Sequence, residues 1–182
     1  MRKLIVVFAF MMLMLGATTA SYADTTAESN KSNDALKTFM ASKNSRLSED
    51  ALNNLIKSID TASTDYNIEK ELIVAVMWQE SNFDPSLNYK NSIGAMQIYH
   101  TTGKAYGYSL ADLYNSDINI KFGAKYLSGH IQSYNGDVLK ALSAYNQGTT
   151  RVNKGVYSKK YETQVAAKWN TVKDYVANYI AN

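Results

Sequence analysis

The chain has 182 residues, 19 basic against 16 acidic side chains, two histidines and no cysteine. So even a charge balance, with no clustered basic face, argues against a nucleic-acid binder. The lack of cysteine excludes disulfides, thiol catalysis and thiolate metal sites, so packing alone must hold the core.

The N-terminus reads as a secretory signal peptide. Arg2 and Lys3 give a positive start, Leu4 to Leu15 is uncharged and apolar, and Ser21-Tyr22-Ala23 places small residues where a signal peptidase reads. Cleavage is expected after Ala23. The apolar run is shorter than the roughly 20 residues a bilayer span needs. With no cysteine to carry a lipid, no stable membrane anchor is expected on the exported chain. Removing this segment leaves 17 basic residues against 16 acidic ones over residues 24–182, enough chain for one domain with one core.

Residues 24–46 are rich in Thr, Ser, Asn, Ala and Lys and read as a flexible leader. Leu36, Phe39 and Met40 nonetheless sit at helical spacing, which leaves an extra packed helix as the alternative. The folded domain is expected over residues 47–182. Ser48 is an N-cap candidate, with Glu49 and Asp50 in the first turn and Leu52, Leu55, Ile56 and Ile59 as an apolar stripe. A second helix starts after Asn67, carries Ile68, Leu72, Ile73, Val76 and Met77 towards Glu80, and is expected to stop before Pro85. Residues 86–95 read as a loop, with a short helix from about Ala95. Asp117 is the expected cap of a helix bearing Ile120, Ala124, Leu127 and Ile131. Gly136-Asp137 caps the next, which holds Leu142 and Tyr145. The last begins near Ser158 with the stripe Tyr161, Val165, Trp169, Val172 and Val176. No stretch alternates cleanly enough for a core strand, so the class is all-α.

Chemistry enters at Glu80. Cleaving a glycosidic bond requires an acid that is still protonated near neutral pH. A helix C-terminus opposes a carboxylate, and Met77 and Trp78 can dry its surroundings, so the position suits a raised pKa. Alone, such a glutamate is most often just solvated. His100 and His130 are expected at the surface or partly satisfied, and no metal or cofactor site is expected.

Three segments change the weight of that reading: Glu80-Ser81, Gly94-Ala95-Met96-Gln97 and Ala144-Tyr145-Asn146 followed by Gly148. In this order they resemble the lytic transglycosylases of the soluble-lytic-transglycosylase type, with Ala95 where that family carries leucine. The resemblance runs from about Ile68 to Trp169. It implies a lysozyme-like helical domain of the goose type, over residues 47–182, acting on peptidoglycan glycan strands as a monomer without cofactor. It implies Glu80 as the catalytic acid and Tyr145 as the hydroxyl aimed at it. Ser81, Met96, Gln97 and Asn146 would contact substrate, Met96 and Gln97 by lining the sugar groove. Gly94 would let the backbone approach the ligand. Tyr161, four residues ahead of Val165, fits a further family segment or is simply the first core residue of its helix. No second carboxylate lies in a matching segment, which suits a single-glutamate reaction. A hydrolytic goose-type lysozyme and a silent wall-binding protein are the alternatives. Tyr89, Tyr99, Tyr106, Tyr108 and Tyr114 surround the Gly94 segment and could stack on sugar rings.

Overall fold

The computed structural model describes residues 27–182; the expected signal peptide lies outside the described residues. The first described element corrects the expected leader. Residues 27–43 form a helix, α1, which buries Ala35, Leu36, Phe39 and Met40 completely or nearly so. The pattern i, i+1, i+4, i+5 gives one apolar face, and that face finds partners: the Phe39 ring stands edge-on to Trp78 at 5.3 Å and to Tyr175 at 5.2 Å.

α2 (Glu49–Tyr66) starts as expected, with the Ser48 side chain accepting the Ala51 N–H. α3 (Lys70–Ser81) is buried continuously from Leu72 to Met77, so it runs through the core and not over it. It stops before Pro85 has any influence. Asn82 takes a left-handed conformation (φ 51°) and its N–H returns to the Met77 carbonyl; Phe83 follows at φ 67°. Asn82 is also clipped to the end of α1. Asn44 donates to the Asn82 carbonyl at 2.9 Å and Asn82 donates to the Lys43 carbonyl at 3.3 Å.

A small antiparallel sheet follows where a plain loop was expected: β1 (Asn88–Tyr89), β2 (Ser92–Ile93) and β3 (Ile98–Tyr99), in the order β1-β2-β3. Strands of two residues leave no alternation for a sequence pattern to reveal. No helix begins at Ala95; α4 (His100–Ala105) starts five residues later. After α5 (Leu110–Tyr114), α6 (Ser116–Ser133) is capped by Asn115, whose side chain accepts the N–H groups of Asp117 and Ile118, and not by Asp117. α7 (Val138–Gln147) carries the expected Asp137 cap, α8 (Thr149–Asn153) is short, and α9 (Lys160–Ala181) closes the chain. α2 packs on α6, and α9 packs along α3 and against α7. α3 is thus surrounded, and its C-terminal turn emerges where the sheet, α6, α7 and the start of α9 meet.

Candidate active site

Glu80 lies in that last turn of α3, half-buried, with the helix carbonyls behind it. Burial pushes its carboxyl up from 4.5 to about 7, and a hydrogen bond from Tyr161 pulls against that rise. The Tyr161 hydroxyl donates to Glu80 Oε1 at 2.5 Å, a short contact. Burial, and then the Glu80 charge, hold the Tyr161 hydroxyl well above its ordinary value, so it remains a donor.

Tyr161 reaches Glu80 because α9 docks along α3. Val165, Val172 and Val176 bury one face of α9, and the first turn of that face points at the end of α3. A second tie lies one residue on. Glu162, itself buried, accepts the Ser143 hydroxyl at 2.5 Å, joining α9 to α7. Sequence reading had passed over Glu162, since a carboxylate next to a core tyrosine carries no signal until its partner is known.

Tyr145 lines the cleft with Glu80, but its hydrogen bond goes elsewhere. Its hydroxyl donates to the Met96 carbonyl at 2.8 Å and not to Glu80. It is one of several groups that hold the 93–97 backbone. Ser81 Oγ lies 2.8 Å from the Ala95 carbonyl oxygen, on a side chain that is 8% exposed. The Gln97 amide donates to the carbonyls of Gly94 (2.9 Å) and Leu87 (3.1 Å). Asn119, wholly buried, accepts the Met96 N–H at 2.9 Å and donates to the carbonyls of Ile93 (2.8 Å) and Leu113 (3.0 Å). Nearly every polar group of this turn is paired, which is what a buried irregular backbone requires.

Gly94 belongs to the same device. It has φ +78°, and a Cβ there would stand 2.5 Å from the Asn119 side chain. The close approach it permits among the described residues is to Asn119. Met96 is fully buried against Gly123, where a Cβ would meet the Met96 Cβ at 2.7 Å. It is a core residue and does not line a groove.

Beside Glu80 lies a cleft of about 310 Å³ whose walls include Gln97, Tyr99, Thr102, Tyr126, Tyr145 and Asn146. Of the residues expected at the site, Glu80, Gln97, Tyr145 and Asn146 face the cleft, with Asn146 exposed on its rim. Ser81 and Met96 stand behind the wall. Tyr161 touches the acid from the α9 side. Among the expected aromatic surface, Tyr99 lines the cleft, while Tyr89 is 59% exposed elsewhere on the sheet. Among the described lining residues, Glu80 is the one carboxylate.

Asn119, Gly123, Tyr126 and His130 were missed, and one signal could have found them. They recur at i, i+4, i+7 and i+11 and share one face of α6. Only the neighbouring stripe, Ile120 to Ile131, drew attention because it was apolar. His130 corrects a second expectation: it is 7% exposed, and its Nε2 has no partner among the described residues.

The family model described as the transglycosylase SLT domain matches residues 57–168. The chain belongs to the transglycosylase SLT family. Its SLT domain is 34% identical over 115 residues to a "Transglycosylase" of Enterobacteria phage PRD1, covering 63% of this chain and 42% of that protein. It is 31% identical over 121 residues to the "Peptidoglycan transglycosylase gp16" of Escherichia phage T7, covering 63% of this chain and 9% of that one. It is 30% identical over 132 residues to the "Membrane-bound lytic murein transglycosylase E" of Buchnera aphidicola, covering 62% of this chain and 60% of that one. The chain thus spans under two thirds of the length of each of these relatives. The SLT match contains Glu80, the 93–97 turn, Tyr145 and Tyr161, and it begins inside α2, so α1 lies outside it.

The two tyrosines should separate in experiment. Tyr161→Phe removes the bond that lowers the Glu80 pKa. Its turnover should fall by about tenfold to a hundredfold, and the alkaline limb of its pH–rate profile should move up. Tyr145→Phe leaves the buried Met96 carbonyl short of a donor, at a cost of about 1–3 kcal/mol in stability, with the limb in place. Coincident pH profiles for Tyr161→Phe and the parent protein would remove Tyr161 from the acid's surroundings.

Proposed function

We propose that this chain is a peptidoglycan lytic transglycosylase that cleaves the β-1,4 bond between N-acetylmuramic acid and N-acetylglucosamine and leaves a 1,6-anhydromuramic end. The observation that carries the proposal is a carboxyl raised to about 7 and held by a tyrosine hydroxyl at the edge of a cleft. Protonated Glu80 gives its proton to the glycosidic oxygen as the C1–O bond breaks. The N-acetyl group of the muramic residue stabilises the cation that forms at C1. The Glu80 carboxylate then takes the proton of the C6 hydroxyl, whose oxygen bonds to C1. Glu80 ends as it began, protonated, and no water is consumed. The Tyr161 hydroxyl stabilises the intermediate carboxylate without competing for its proton. The tethered C6 hydroxyl has the entropic advantage over a free water, and the described cleft walls supply no second carboxylate to activate one.

Products should therefore be lighter than hydrolytic fragments by one water and should resist borohydride, since they lack a reducing end. Mass spectrometry of digested cell walls before and after reduction tests this. Mainly reducible muramic ends would replace the transglycosylase with a lysozyme on the same fold. The family segments and the N-terminal apolar run also support action outside the cytoplasm, at the cell wall or in the periplasm. N-terminal sequencing of the exported protein should then begin at Asp24; a retained Met1 would end that part of the proposal.

A further inference from the structure

The near-even charge of the whole chain hides one uneven stretch. Residues 138–161 carry five basic side chains, Lys140, Arg151, Lys154, Lys159 and Lys160, and no acidic one. Residues 27–182 hold 17 basic and 15 acidic side chains in all, so 12 against 15 remain elsewhere. The total had argued against a clustered basic face; the structure corrects this with a local one. Lys140 lies over the Tyr134 ring at 5.0 Å. The other four are exposed, and none forms an ion pair among the described residues. Between the two pairs, Arg151 and Lys154 before and Lys159 and Lys160 after, stands Val156. It is 66% exposed, more than any other large apolar side chain described. The turn that presents it is braced. α8 buries Val152, and the Val156 N–H returns to the Arg151 carbonyl at 3.0 Å. The Gln147 side chain closes the far end, donating to the Ser158 carbonyl at 2.7 Å and accepting the Ser158 N–H at 2.9 Å.

We propose that this turn docks reversibly on an anionic phospholipid surface. A single exposed valine is ordinary. One held out between four unpaired cations has the composition of a surface that meets an anionic bilayer: the cations reach headgroup phosphates and the apolar tip enters the boundary of the acyl chains. Val156 selects this partner, because a soluble polyanion would engage the cations and gain nothing from the valine. The inference goes beyond the reaction to where it takes place. The segment leaves the cleft wall at Gly148 and ends at Tyr161, which holds Glu80. Docking through it sets the catalytic cleft beside the membrane, against the strands nearest the lipid.

Sedimentation with vesicles tests this at low ionic strength, where surface charge is least screened. The exported protein is spun with vesicles of phosphatidylglycerol and phosphatidylcholine in equal parts, and with vesicles of phosphatidylcholine alone. It should bind the mixed vesicles about tenfold or more tightly. Each cation near such a surface contributes roughly fivefold, so Lys154→Gln combined with Lys159→Gln should weaken that binding about thirtyfold. Val156→Asp, with every cation in place, should weaken it about tenfold or more. All three side chains are exposed, so melting curves of the variants should match the parent's. Equal binding of the parent to both kinds of vesicle, as the N-terminal apolar run alone would give, overturns the proposal. So does Val156→Asp binding like the parent, which would make the turn a site for polyanions in general. Sedimentation requires no turnover, so a failure of the proposed reaction leaves this result untouched.

Discussion

Glu80→Gln should abolish wall lysis and, at alkaline pH, yield a more stable protein. The amide keeps the shape of the carboxyl and can still meet the Tyr161 hydroxyl, but it has no proton to give. General acid catalysis contributes about 10²–10⁴-fold, so a loss of roughly 10³-fold or more is expected. The stability change follows from the same burial. In the folded protein the carboxyl titrates near 7, whereas in the unfolded chain it titrates near 4.5. Folding therefore favours the protonated form. Below the unfolded value both states are protonated and Glu80 adds no penalty. As the pH climbs from about 4.5 the unfolded chain ionises while the folded carboxyl stays protonated, so stability falls until about 7, where the folded protein takes on an ionised, desolvated carboxylate and the penalty is complete. The full difference amounts to about 3 kcal/mol. Glutamine has no such term. Melting curves of the two proteins should nearly coincide at pH 4 and separate in favour of the variant above pH 8. A variant that retains wall-lytic turnover would dismiss Glu80 as the acid. Parallel stability profiles would dismiss its raised pKa.

A protein that begins at Leu47 should not fold cooperatively. Sequence composition alone points the other way, to a dispensable leader. In the structure α1 covers both α3 and α9: Phe39 touches Trp78 on α3 and Tyr175 on α9. Removing Leu36, Phe39 and Met40 strips three nearly inaccessible side chains from the core. Each such truncation to alanine costs about 2–5 kcal/mol, so the three together rival the roughly 5–15 kcal/mol that holds a whole domain. The clip between Asn44 and Asn82 goes as well, two residues from Glu80. Phe39→Ala is the milder form. It should lower stability by about 3–5 kcal/mol and leave turnover close to normal at a temperature where the variant stays folded. Denaturant melts with an unchanged midpoint for the shortened protein would show that α1 merely rests on the surface.

The local features of this protein were legible in its sequence. Ser48 and Asp137 cap where they were expected, because a capping side chain acts within three residues of itself. α3 and α9 could be read from their apolar spacing, and Glu80 from the segments around it. What depended on distant partners could not be read. The family segments put Tyr145 ahead of Tyr161 beside the acid, and only the docking of α9 on α3 decides that Tyr161, 81 residues from Glu80, gives it the hydrogen bond. The same holds for Ser81, Met96 and Gly94. Their residue types mark a site, yet Asn119 decides that they build its wall, since a buried amide with three backbone partners defines that turn from a helix 22 residues or more away. The leader was misjudged for a related reason. Its polar residues dominate any count, but folding depends on whether its few apolar ones find a surface, and Trp78 and Tyr175 become that surface only once α3 and α9 have met.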